Sequence, residues 1–106
     1  MDMDMEQTLE ECVARGAALL DAHQPGWENR INRGTLVMGS LRQCLLGQLY
    51  GDFDTGLDIL FPDNDETECL GAHHGFDAHY RLKPLGAQYR RLHTLWCDTI
   101  IERRAQ

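Results

Sequence analysis

The sequence predicts an all-α fold, a compact bundle of about four to five helices whose longest amphipathic helix is C-terminal. Three observations carry that expectation. Leu85, Tyr89, Leu92, Trp96 and Ile100 recur at i, i+4, i+7, i+11 and i+15, the period of one helix face. Leu9, Val13, Ala17 and Leu20 lay a second such stripe, with Cys12, Gly16 and Leu19 alongside. Thr35-Leu36-Val37-Met38, an extended or loop connector, is too short to count as a sheet.

The first helix covers about residues 6–23 and stops at Gln24-Pro25-Gly26, where proline breaks the hydrogen-bond ladder and glycine permits a turn. Trp27 to Ile31 adds a short helical turn that drops the indole and Ile31 onto the core. Asn32-Arg33-Gly34 is a turn signal. Ser40 with Gln43 has the capping-box pattern, so a helix is expected from Ser40 to about Tyr50, with Leu41, Cys44, Leu45, Gln48 and Leu49 on one face. Gly51 stands where a left-handed stop belongs.

The apolar run over residues 52–61 is too brief to fix its own period, and we read it as a short helix. Pro62-Asp63-Asn64-Asp65 breaks it. The acidic residues from Asp63 to Glu68 suit the positive end of a further helix reaching His74, closed by Gly75 with Phe76 folded back towards Leu70. After a loop through Lys83, Pro84 opens the last helix, in whose first turn proline is tolerated. The domain reading is a disordered acidic N-terminus over residues 1–5 and one helical domain over residues 6–106, with no internal repeat.

A chain of 106 residues holds one ordinary core, and 42% hydrophobic with 25% charged residues is the balance of a globular protein. The formal charge of -7 disfavours nonspecific binding to nucleic acid, which needs net positive charge against the phosphates. That charge is unevenly divided. Residues 80–106 hold six basic and two acidic groups, against four basic and fifteen acidic groups in residues 1–79. A basic last helix laid on the acidic body would make the contrast internal.

Met1-Asp2-Met3-Asp4-Met5-Glu6 is acidic where a secretory leader is basic, and no apolar run approaches the roughly 18 to 20 residues of a membrane span. A cytoplasmic protein without membrane contact is expected. The four cysteines, Cys12, Cys44, Cys69 and Cys97, include no Cys-x-x-Cys pair. They are expected to be reduced, with Cys12, Cys44 and Cys97 acting as small apolar residues on helix faces.

Cys69, His73, His74 and His79 form the cluster with metal-ligand chemistry, since Cys69 and His73 at i, i+4 share a helix face. That is half a site. Equally, last-turn histidines favour the negative helix end and Cys69 is a packed thiol, so no metal and no cofactor is assigned. Asp52, Asp54, Asp58 and Asp63 miss the calcium-loop spacing, because the glycine stands fifth and Asp63 replaces the bidentate Glu. No hydrolase, metalloprotease or phosphate-loop motif is present, and no enzyme is predicted. Trp27 and Trp96 read as core. Tyr80, Arg81 and Lys83, on the loop before the last helix, are the candidates for exposed partner contacts.

The stretch Leu19-Leu20-Asp21 with Pro25-Gly26-Trp27, then Cys44-Leu45-Leu46-Gly47-Gln48-Leu49-Tyr50-Gly51-Asp52-Phe53, His74-Gly75-Phe76-Asp77 and the closing Tyr89, Leu92, Trp96 and Ile100 resembles short accessory proteins of actinobacterial phages and prophages. The resemblance covers most of the chain and carries over no catalytic residue, cofactor or substrate. It implies a small accessory protein in the host cytoplasm that modulates a host or phage protein through contacts, with self-association open. Two alternatives stand beside it. One is an acidic decoy of nucleic acid, which needs an exposed acidic stripe before residue 80; the other is a metal-binding domain or metal-dependent enzyme centred on Cys69, His73, His74 and His79.

Overall fold

Thr8 opens the first helix with a side-chain bond that the sequence pattern had left unassigned: its hydroxyl accepts from the Glu11 amide while the Glu11 carboxylate takes the Thr8 amide. This closed capping box starts α1 (Leu9–His23). The computed structural model describes residues 8–63, 67–79 and 84–105. Over these the chain is all-α, with α2 (Leu45–Tyr50), α3 (Phe53–Leu60), α4 (Thr67–His73) and α5 (Leu85–Arg104), and no strand. The expectation of a helical bundle with its longest helix last holds. The N-terminal tail lies outside the described residues.

Pro25 and Gly26 end α1 as expected, Gly26 taking φ 86°, and Trp27–Asn29 forms a single 3-10 turn. The indole is fully buried, edge-on to Trp96 at 5.6 Å, with its Nε1 donating to Asp21 at 3.0 Å. A second 3-10 turn, Arg33–Thr35, replaces part of the expected extended connector, because the Asn32 side chain accepts from the Gly34 amide and tightens the chain.

The helix expected from Ser40 is shorter. Ser40 does accept from the Arg42 and Gln43 amides, but it closes a turn instead of capping a helix. Two longer-range bonds hold that turn open: Leu41 O accepts from the Phe53 amide at 2.8 Å and Gln43 O from the Val37 amide at 3.0 Å. Helix α2 begins at Leu45 under a buried Cys44 cap, whose sulfur accepts from the Gly47 amide at 3.3 Å. Leu41 therefore leaves the expected buried face and is 60% exposed.

Gly47 makes the reversal sterically feasible, since a Cβ there would lie 2.5 Å from the Arg42 carbonyl and 2.6 Å from Leu41 O. Gln48 then fixes the chain before it. Its side chain accepts from the Asn32 amide and donates to the carbonyls of Asn32 and Gln43. Gly51 ends α2 with φ 102°, and Asp52 caps α3 by accepting from the Thr55 amide at 2.7 Å. The short helix expected for residues 52–61 is present.

The exit of α4 is a glycine stop of the expected kind. Gly75 has φ 75°, the Phe76 amide donates to Gly71 O and the Gly75 amide to Ala72 O, which is the Schellman pattern. Other elements satisfy the carbonyls left over at this end: Arg15 from α1 donates to His73 O, and Trp96 from α5 to Gly75 O at 2.7 Å. Phe76 is buried and lies parallel to Trp96, 5.8 Å between centroids. Leu92, Trp96 and Ile100 of α5 are fully buried and join a core running from Val13 through Leu45, Leu46 and Leu57. Each such side chain contributes about 1.5–3 kcal/mol of burial free energy. The radius of gyration, 13.0 Å, is that of a compact chain of about a hundred residues.

Candidate functional site

The four residues singled out for metal chemistry do not converge. Cys69 is exposed. His74 Nδ1 donates to Leu70 O at 2.8 Å, and its ring is held between Phe61 and Phe76. His79 points Nε2 at Cys12 Sγ, 3.7 Å away, while burial lowers the pKa of His73, with Arg15 adding to the effect. Among the described residues no three His, Cys, Asp or Glu side chains gather around a common point. Tyr80, Arg81 and Lys83 lie outside the described residues.

The fold does create two thiol–imidazole pairs that spacing alone did not show, Cys12 with His79 and, within α5, Cys97 with His93 at 3.8 Å. Neither offers a poised nucleophile. Cys12 is wholly inaccessible, and burial pushes both the Cys12 and Cys97 thiols up, holding them protonated. None of the four cysteines forms a disulfide.

Two basic side chains of α5 are matched by acids of α1. Arg91 pairs with Glu10 and Arg103 with Asp21 on α1, and Arg103 also lies over the Trp27 ring. Arg104 donates to the carbonyls of Glu28 and Ile31. These bonds explain how the basic last helix seats on the acidic body. They also remove Glu10 and Asp21 from any phosphate-like stripe.

Among the described residues one charged side chain is buried, and no described basic side chain pairs with it. Asp77, 8% exposed, follows the Gly75-Phe76 stop and accepts at Oδ1 from the Ala78 amide at 2.8 Å and the Tyr89 hydroxyl at 2.7 Å. Both bonds end on the same oxygen, so Oδ2 has no partner among the described residues.

Asp77 and Tyr89 form one wall of a cleft of about 180 Å³. The reversed turn supplies one lip through Met38, Gly39, Ser40 and Leu41, and the start of α3 supplies Phe53 and Asp54. Among the described residues no Lys, Arg or His lines it. Met38, Gly39 and Tyr89 are shared with a neighbouring, largely apolar groove that runs past Val37 to Arg90, His93 and Thr94. Val37 and Leu41 stand 49% and 60% exposed beside these two depressions. The site is thus an acidic cleft continuous with an apolar groove, on the turn that Gly47 and Gln48 hold in place.

Sequence reading passed over this pair because Asp77 and Tyr89 are twelve residues apart and Tyr89 sits on the apolar stripe of α5. A signal was present in the tyrosine itself, since a half-buried phenol needs a partner for its hydroxyl. Searches of protein-family models, curated proteins and solved structures return no match to this chain.

Proposed function

We propose that this chain is a non-enzymatic protein-interaction module, an accessory protein of the phage type it resembles, acting on a host component in the cytoplasm. The observation that supports the reading is the exposure of Val37 and Leu41 at 49% and 60% beside the cleft of Asp54, Asp77 and Tyr89. Isolated exposed apolar residues are ordinary. Two on one ordered turn, flanking a groove and a buried carboxylate, supply the apolar centre and the polar fixing group that a contact surface needs. The inaccessible Cys12 thiol, held protonated by burial, and the small open cleft fit binding better than turnover.

Selection of a random-peptide library on the full chain tests the proposal. Peptides that bind the native protein and lose at least about tenfold in affinity to Leu41→Ser support it. Failure to select any, or selected peptides indifferent to Leu41→Ser, overturns it.

A further inference from the structure

We infer that the trough between α1 and α5 docks a basic amphipathic helix of another protein. This face shares no lining residue with the Asp77 cleft or the groove beside it, so it is a second surface, independent of the Leu41 turn. The two helices run in the same direction, since Glu10 pairs with Arg91 towards their starts and Asp21 with Arg103 towards their ends. They enclose a depression of about 330 Å³. Its floor and sides are apolar. Val13 is buried at the base, Ala14 offers only a methyl group, Leu95 is half-buried, and Ile101 stands 48% exposed. Leu95 and Glu102 are seven positions apart, so α5 lines the trough for two turns, about 10 Å. A trough of that length between two parallel helices takes the apolar face of a third helix, with side chains at i, i+3 or i+4 and i+7.

The apolar floor makes the site, and the rim selects its occupant. Asp98 and Glu102 stand one turn apart on α5, both exposed, and Glu10 lies across from them on α1. The chain's own residues ahead of α1 include Asp2, Asp4 and Glu6, of the same sign as this rim. A second copy laid on the same face about a two-fold axis would set Asp98 and Glu102 against carboxylates again, and like charges brought together oppose association. A helix with Lys or Arg flanking its apolar stripe has the opposite sign. Its aliphatic stems extend the cover over Ile101 while the charged heads reach the carboxylates.

The test titrates the nitrogen-labelled full chain with synthetic helical peptides of about 18 residues and follows amide resonances. The first is built of leucine and lysine with the leucines on one face, the second has the same composition with leucines on every face, and the third carries glutamate in place of lysine. The expected result is saturable shifts at Ala14, Leu95, Thr99 and Ile101 with the first peptide, binding at least about tenfold weaker with the second, and none with the third. Asp98→Asn combined with Glu102→Gln is expected to weaken the first peptide at least about tenfold, and Ile101→Ser several-fold. All three positions are exposed, so the fold is kept. The second or third peptide binding as tightly as the first, shifts confined to other elements, or binding that survives both variants would each overturn the inference. Shifts at Thr99 and Ile101 without peptide, on raising the protein concentration or on deleting residues 2–7, would give the trough to a second copy or to the chain's own N-terminal segment and overturn it as well.

Discussion

The hydroxyl of Tyr50 is the clearest case of a single polar atom at odds with its surroundings. It is buried with no hydrogen-bond partner, and burial raises its pKa; Gln24 and Arg30 face it but bond to each other, Arg30 donating to the Gln24 side chain. A buried hydroxyl left unbonded costs its full desolvation, roughly 1–3 kcal/mol. Tyr50→Phe removes that penalty and keeps the ring against the Gly56 backbone, where a Cβ would lie 3.0 Å from Tyr50 Cδ2. The variant is expected to be as stable as the natural chain or up to about 1 kcal/mol more stable in urea unfolding. A loss beyond about 1 kcal/mol would show that the hydroxyl is bonded and that Gln24 turns to reach it. Asp77 makes an opposite residue-scale point. Its Oδ1 takes two donors, the Ala78 amide and the Tyr89 hydroxyl, so the burial that is a defect at Tyr50 is answered there by hydrogen bonds.

At the scale of elements, the turns discriminate between glycines of one apparent kind. Gly26, Gly51 and Gly75 all have positive φ. Around Gly26 and Gly51 nothing lies within 4 Å of an added Cβ, whereas at Gly75 it would meet the Val13 backbone at 2.9 Å. Gly51→Ala is expected to cost about 1–2 kcal/mol, the conformational term alone. Gly75→Ala adds overpacking of about 1–3 kcal/mol and so is expected to be clearly the more damaging. Equal losses in urea unfolding would mean that α1 and the α4 exit move apart freely. These turns also mark how far the sequence was legible. Helices α1 and α5 follow from their 3.6-residue stripes, and the Gly75 stop from its position after a helical run, because both signals are local. The Ser40-Gln43 box was a correct local signal overruled by distant partners, Phe53 and Val37, which no spacing along the chain reveals. The motif around Gly47 and Gln48 was recognisable as fold-determining. That it shapes a turn lining the Asp77 cleft depends on contacts formed only in three dimensions.

Across the whole molecule, the way charge is held sets the response to pH. The -7 net charge comprises an acidic body and a basic final helix, and the Glu10–Arg91 and Asp21–Arg103 pairs join the two. Such half-exposed pairs are screened by solvent and contribute little, so the larger pH effects come from groups whose protonation differs between folded and unfolded chains. On the acid side, burial holds His73 below its ordinary value of 6.5, with Arg15 opposing protonation as well. The unfolded chain then binds the proton first, and stability falls as the pH drops below about 6.5. Bonding to Arg91 holds Glu10 below 4.5, and the Thr55 amide holds Asp52 below 3.8, which extends the loss further into acid. On the alkaline side, burial raises Cys12, Cys44 and Cys97 above 9.0, so the unfolded chain ionises first and stability falls as the pH rises past about 9.0. A plateau from about pH 6.5 to 9.0 is therefore expected in the urea midpoint. His73→Gln isolates the first acid step, because it abolishes that titration while leaving the main-chain carbonyl that accepts from Arg15. In this variant the acid limb is expected to start only near the carboxylate range, about 4.5 and below. A limb that still starts near 6.5 would show that His73 is not the group that sets it.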